Sequence, residues 1–277
     1  MEKAAEFSGP DASLGSKGGL RVRLARTQNE IEAAQRLRFK VFYEELSAVA
    51  DRSTESLRTD VDRFDDFCDH LIVVRHAPSH QSDPIMLEDG ELVGTYRLMR
   101  QEMAARLGGF YTGDEFEIGP MLAAHPQAHF LELGRSCVLK PYRTKPVLEL
   151  LWQGIWNYVR KHNIDVMFGC ASFEGTDPEA HAAALTFLAR NCAAPPEWRV
   201  RALPHRHVGM NRLAGELDPK RALRTLPPLI KGYLRLGCYI GDGAVIDAAF
   251  NTLDVLIILP VAAINKRYFT HFGAPNE

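Results

Sequence analysis

The sequence predicts an α/β fold: a central, twisted, mixed sheet flanked by helices, with an extended C-terminal portion. Short apolar runs of strand length alternate with segments whose apolar residues recur every three to four positions, the pattern of strands interleaved with helices. The most informative stretch, residues 130–159, reads as a strand, a short basic loop and a long amphipathic helix. At 277 residues, 46% hydrophobic and 25% charged, the chain has the composition of one large or two small globular domains.

The elements follow in order. Residues 1–19 are rich in Gly, Ser, Ala and charge and lack an apolar run of signal-peptide length, so a disordered tail is expected. Residues 20–25 alternate as a first strand. Residues 28–46 form a helix with Ile31, Ala34, Leu37, Val41 and Phe42 inward. Residues 51–69 read as an acidic loop, 71–74 as a strand, 78–84 as a surface turn, and 91–100 as a strand in which Gly94 permits a bulge or close approach. A short helix over 101–107 stops at Gly108-Gly109. The strand over 130–139 has Leu131, Leu133 and Val138 suited to burial. In the next helix Thr144 is the expected N-cap, Pro146 sits in the first turn, and Leu148, Leu151, Trp152, Ile155 and Val159 share a stripe. A strand over 164–170, a helix over 178–191 capped by Asp177, a strand over 198–203, a helix over 227–236 and one or two strands within 244–260 complete a single domain, 20–260. Residues 261–277 read as a C-terminal tail.

Charge excludes some classes. The net charge of −2 gives no pull toward nucleic acid. Five scattered cysteines, none in a CxxC or Cys/His ligand spacing, fit reduced core thiols in a cytoplasmic protein. The apolar run at 255–263 is broken by Pro260 and is shorter than the roughly 20 residues a bilayer needs. No metal is expected: His205 and His207 lack a third ligand and suit a basic surface loop. Between Glu44 and Asp69 nine acids face three bases, and between Arg199 and Arg235 nine Lys/Arg face two acids. These are two solvated surfaces, or else an acidic pocket for a cationic substrate and a basic platform for an anionic partner.

Charged residues inside the 130–139 strand carry the chemical signal, because buried charges are paired or chemically employed. Glu132 is a candidate general base or one half of an ion pair with Arg135 or Arg97. Arg135 and Arg97 would hold a substrate carboxylate or order the acidic loop. Asp62 and Asp65 would bind a second amine or serve as loop and cap residues. Arg38 is placed to tie to those aspartates. Ser136 and Cys137 have no nucleophilic triad around them in sequence, and Cys137 suits the core.

The order strand, basic loop, amphipathic helix, strand resembles the GNAT acyltransferase fold. In that family the loop after the fourth strand binds a pyrophosphate through Gln/Arg-x-x-Gly-x-Gly/Ala. Arg143 matches the first position, but both glycines are missing across Thr144 to Leu148, so the backbone cannot wrap a pyrophosphate closely. The chain is also similar to the acyl-homoserine-lactone synthases: Arg38 four residues before Phe42, Asp62-x-x-Asp65, the strand Arg97, and Glu132-x-x-Arg135. The tryptophan that follows the Phe in those synthases is absent, with Ala48 near that point, and the C-terminus is longer. The 132–143 run, Ser172-Phe173-Glu174-Gly175-Thr176 and the basic region with Leu226-Pro227-Pro228 resemble a sister family, the ornithine–acyl-carrier-protein N-acyltransferases, over about 20–260.

That resemblance implies transfer of a 3-hydroxyacyl group from acyl carrier protein to the α-amine of L-ornithine, giving lyso-ornithine lipid. It implies Glu132 and Arg135 as catalytic residues, and Asp62, Asp65, Arg38 and Arg97 as substrate contacts. Val138, Arg143 and Lys145 would meet the acyl donor. No cofactor beyond the carrier's phosphopantetheine is expected, and contact with the inner membrane is peripheral. The alternatives are a homoserine-lactone-type synthase using S-adenosylmethionine and a non-catalytic membrane- or carrier-binding module.

Overall fold

The computed structural model describes residues 13–76 and 85–264. The turn expected at 78–84 lies outside the described residues, as do 1–12 and 265–277. The chain packs as two compact units, Met1–Met99 with Leu133–Asn163, and Arg100–Glu132 with Ile164–Glu277.

In the first unit, β1 (Ser13–Lys17) pairs antiparallel with β2 (Leu20–Leu24). Residues 13–17 are therefore strand rather than tail. Gly18 and Gly19 both have positive φ, 57° and 79°, so a two-residue turn of matching twist closes the hairpin. Helix α1 (Gln28–Phe39) starts at Thr27, whose side chain accepts the Glu30 N–H, and runs into a π-helical turn, Lys40–Glu45. The acidic stretch is not all loop. Asp51 accepts the Thr54 N–H at 2.7 Å and starts α2 (Arg52–Leu57), which stops at Arg58 in the left-handed conformation.

β3 (Asp69–Arg75) pairs antiparallel with β2 on one side. On the other it pairs antiparallel with β5 (Gly90–Arg100), which also carries the short β4 (Met86–Leu87). The strand β6 (Phe130–Val138) follows α3 (Gln101–Leu107) and α4 (Gly119–Ala124) in the chain. Beside Gly94 a Cβ would lie 3.2 Å from Val138 Cγ2, so the expected close approach is real.

Helix α5 (Lys145–Lys161) buries Val147, Leu150, Leu151, Ile155, Trp156, Tyr158 and Val159. The stripe is rotated from expectation: Leu148 is 44% exposed. Thr144 is extended, as a cap should be, but its side chain makes no capping bond. Gly154 lets α5 lie flush on the sheet, because a Cβ there would fall 2.7 Å from Val22 Cγ2 and 3.0 Å from Leu71 Cδ1. Gly154→Ala should therefore lower stability by about 1 kcal/mol or more, overpacking outweighing the helix propensity of Ala. A denaturant midpoint equal to or above the parent's would refute this.

In the second unit the first three residues of β6 pair parallel with β7 (Val166–Glu174), Phe130↔Val166 to Glu132↔Phe168. After α6 (Ala182–Asn191) come β8 (His207–Val208), α7 (Pro219–Thr225), α8 (Pro228–Leu236), β9 (Tyr239–Asp247) and β10 (Thr252–Pro260). β10 pairs antiparallel with β7 over nine residues and with β9, and β9 with β8. The strand expected over 198–203 is instead a turn, Pro196–Trp198, followed by two isolated bridges, Arg201↔Asp242 and Phe116↔Ala202. Asp177 accepts the Glu179 N–H at 2.9 Å, but α6 starts later, at Ala182. Of the apolar stripe expected here, Leu226 between α7 and α8 and Ile230 and Tyr233 on α8 are buried, and Leu229 and Leu234 are half-buried. No described helix is long and apolar enough to cross a membrane.

Candidate active site

The first unit holds a network of three arginines and three aspartates. From α1, Arg38 donates Nε to Asp60 Oδ2 at 2.7 Å and Nη1 to Asp65 Oδ1 at 2.8 Å, and also bonds the Asp60 carbonyl. From β5, Arg97 Nη1 reaches Asp62 Oδ1 at 2.6 Å and Asp65 Oδ1 at 3.0 Å. From β6, Arg135 Nε reaches Asp60 Oδ2 at 3.1 Å and Nη2 reaches Asp62 Oδ2 at 3.0 Å. Each aspartate bridges two arginines, and three positive charges meet three negative ones.

The local backbone explains why these side chains meet. Arg135 has φ +50° within a strand, a left-handed conformation that a bulky residue holds only when its surroundings fix it, and its two ion pairs supply that fixing. The Asp62 Oδ1 accepts the Phe64 N–H at 2.8 Å, and the Asp65 Oδ2 accepts the Asp62 N–H at 3.1 Å, so the loop folds around its own carboxylates. Gln35, one turn before Arg38, adds a bond to Asp65 at 3.2 Å.

Burial sorts the members. The side chains of Arg38, Asp60, Asp65 and Arg97 are at most 5% exposed, whereas Arg135 is 11% and Asp62 21% exposed. Burial by itself would raise both Asp60 and Asp65. Arg38, with Arg135 at Asp60 and Arg97 at both, overrides it and holds the two carboxyls below the usual carboxylate range. Arg38 ties to Asp65, one of the two aspartates expected for it, and to Asp60 rather than Asp62.

His70 completes the inner side, its Nε2 3.1 Å from the Asp65 carbonyl while Nδ1 has no hydrogen-bond partner among the described residues. Burial, then Arg38, lowers its pKa to about 4. A folded value below the unfolded one means that the unfolded chain binds more protons between about pH 6.5 and about pH 4. Stability should fall across that window as pH falls, on the order of 2–3 kcal/mol from this group. Urea midpoints measured over the window should show a slope that His70→Gln flattens, and an unchanged slope in the variant would refute the assignment.

Glu132 belongs to the second unit. Its Oε1 accepts the Thr112 N–H at 2.7 Å and its Oε2 the Tyr111 N–H at 3.1 Å, at the start of the turn Tyr111–Asp114. The residue closing that turn, Glu115, is 2% exposed. Cys170 Sγ from β7 lies 3.2 Å from Glu115 Oε2, and Arg206 Nη2 lies 3.4 Å from Glu115 Oε1. Burial first, then Asp254, pushes Glu115 up to about 7.

The expected donor residues lie where β6 ends. Val138 is buried, Arg143 Nε donates to the Val138 carbonyl at 3.0 Å and Arg143 pairs with Glu45, and Lys145 is exposed beside Glu149. Cys137 is buried, and burial pushes its thiol up, away from nucleophilic thiolate chemistry. The sequence reading missed Asp60, Gln35, His70, Glu115 and Cys170. Asp60 and Gln35 carried a usable signal, the one two residues before Asp62 and the other three residues before Arg38. The remainder become neighbours only on folding.

Residues 37–153 match the acetyltransferase (GNAT) domain family. The chain is 52% identical over 265 residues to an L-ornithine N(alpha)-acyltransferase of Brucella abortus (strain 2308), covering 94% of this chain and 91% of that protein. It is 50% identical over 262 residues to the one of Rhizobium meliloti (strain 1021), covering 94% and 86%. Among solved structures it is similar to FeeM, an N-acyl amino acid synthase from uncultured soil microbes, with a TM-score of 0.49, 13% identity and coverage of 90% and 97%. At this level of identity, sustained over nearly the whole length of its relatives, the chain belongs to the L-ornithine N(alpha)-acyltransferase family, enzymes on a GNAT fold.

Proposed function

We propose that this protein transfers a 3-hydroxyacyl group from the phosphopantetheine thioester of acyl carrier protein to the α-amine of L-ornithine, yielding lyso-ornithine lipid. The observation that carries the reading is the 52% identity to a protein named for that acceptor and that amine. In the reaction the amine nitrogen forms a bond to the thioester carbonyl carbon, the C–S bond breaks, and the thiol leaves. The amine must first be neutral, so a base is required. Glu132 takes that role, its carboxylate held in place by the Tyr111 and Thr112 N–H groups.

Arg135 and Asp62 are the members of the arginine–aspartate network with the most exposed side chains, and they take the direct contacts with ornithine's carboxylate and second amine. Arg38, Arg97 and Asp65, more deeply buried, set the positions of those two. The Val138–Arg143 bond and the exposed Lys145 suit the pantetheine arm at the end of β6. Arg221, Arg224 and Arg235 on α7 and α8 are exposed, and basic side chains there suit an acidic carrier protein, with peripheral contact to an anionic leaflet as the second source of affinity.

The test is to incubate the protein with the carrier thioester and either ornithine or S-adenosylmethionine and identify the product by mass. An N-acylornithine is expected, and a homoserine lactone or no product would overturn the reading. The loop from Arg143 to Leu148 lacks the glycines that would let backbone N–H groups close on a pyrophosphate. Catalytic efficiency should accordingly be at least about ten-fold higher with the carrier than with coenzyme A at the same acyl chain. Equal efficiencies would sink that part of the proposal.

A further inference from the structure

We propose that Glu115 is a positioning residue for the acyl transfer: through the turn it shares with Glu132 and through Cys170, its charge state governs how strongly Glu132 draws the amine proton. The inference rests on the reading of Glu132 as the base. It comes from a buried group of acids to which the reaction described above assigns no role.

The geometry is local to one compact unit. The turn that gives its first two N–H groups to Glu132 ends at Glu115, whose own N–H donates to the Thr112 carbonyl at 3.1 Å. Cys170 Sγ stands between the two acids' surroundings, 3.2 Å from Glu115 Oε2 and 3.9 Å from Thr112 Oγ1. Arg206 fixes the far side, donating Nη1 to the Asp114 carbonyl at 3.0 Å and Nη2 to the Ile246 carbonyl at 3.3 Å. Carboxylate and thiol atoms of Glu115, Cys170 and Asp254 all lie within 4.8 Å of one another.

The groups facing Glu115 are Cys170 from β7, Asp254 from β10, Asp247 from the end of β9 and Arg206 from the segment before β8. Glu132 acts in turn on Cys170. Glu115, Asp254 and Asp247 are each at most 7% exposed, and Arg206 is the cation among the groups facing Glu115. Like charges in a buried site cannot all ionise without cost, so a proton is retained. Burial, then Asp254, places that proton on Glu115 up to about pH 7, against the opposing pull of Cys170 and Arg206.

Ornithine enters as an ammonium. The C–N bond forms, the C–S bond breaks, one nitrogen proton ends on sulfur and one is released to solvent. When Glu115 ionises, a negative charge joins the chain of contacts Glu115–Cys170–Thr112 that leads to the Glu132 carboxylate, and like-charge repulsion raises the affinity of Glu132 for the departing proton. Turnover should therefore climb as pH rises through Glu115's titration, apart from any change in ornithine binding.

The experiment compares kcat against pH, at saturating ornithine, for the parent chain, Glu115→Gln, Glu115→Asp, Asp254→Asn and Glu132→Gln. Between about pH 6 and about pH 8 the parent should gain about three-fold more than Glu115→Gln, an effect sized by one charge at moderate effective dielectric. Glu115→Asp should restore the gain. Asp254→Asn, which removes the like charge, should move the inflection to lower pH. A Glu115→Gln profile that follows the parent's, with Glu132→Gln inactive, overturns this inference alone. Full activity of Glu132→Gln overturns it together with the base assignment. If Glu115→Gln does not fold, an unshifted inflection in Asp254→Asn overturns it.

Discussion

Glu132→Gln should lower kcat about 100-fold or more while the protein stays folded, the usual contribution of a positioned general base. The carboxylate is replaced by an amide of nearly the same shape, so the change isolates the proton-accepting function. It has a structural side as well. Glu132 accepts two backbone N–H groups, and an amide side chain presents only one oxygen. Leaving either the Tyr111 or the Thr112 N–H without its acceptor costs about 1–3 kcal/mol. The thermal midpoint therefore has to be read beside the rate. A large kcat loss with a modest drop in midpoint and little change in KM for ornithine is the expected pattern. Full turnover eliminates Glu132 as the base, and collapse of the fold assigns it to the scaffold of the Tyr111–Asp114 turn instead.

Arg38→Met should destabilise the protein by about 3–5 kcal/mol, the cost of stranding buried carboxylates whose partner is gone. Asp60 and Asp65 each depend on this guanidinium, and both are at most 4% exposed. Methionine fills the stem of the arginine, so lost packing contributes little and the effect reports the charge. The pH dependence follows. The two carboxyls are held low in the folded chain, so their stabilising contribution is present above the unfolded value of about 3.9 and is lost as pH falls through the folded ones. Without Arg38, burial prevails, the folded values rise, and acid unfolding should move to higher pH. Urea unfolding at neutral pH and an acid titration of the variant measure both, and a loss below about 1 kcal/mol would show the network to be as replaceable as a surface ion pair.

The sequence by itself determined the alternation of strands and helices, the strand–loop–helix unit around β6 and α5, and the presence of unusual charges in β5 and β6. Those features are written in local periodicity and in residues that do not belong in a buried strand unless something holds them. It also pointed to Arg38 as a tie to Asp62 and Asp65, and the fold joins it to Asp65 but to Asp60 in place of Asp62. Spacing alone did not decide that Asp60 is the third carboxylate, nor that the deeply buried Asp65 lies behind the more exposed Asp62. Those outcomes depend on how a loop folds around its own carboxylates and on the left-handed turn at Arg135, neither of which has a periodic signature.

The strand at 13–17 was hidden because Gly and Ser have little strand preference, and only pairing with β2 makes them a strand. The stripe of α5 came out rotated because Gly154, silent in a count of apolar residues, is the point where the helix meets Val22 and Leu71. Glu115, Cys170 and Asp254 lie far apart in the chain, and antiparallel pairing of β7 with β10 beneath the Tyr111–Asp114 turn is what makes them neighbours. Tertiary structure alone creates that group, because the low-dielectric surroundings that shift a carboxyl toward neutrality exist only once the strands have excluded water from around it.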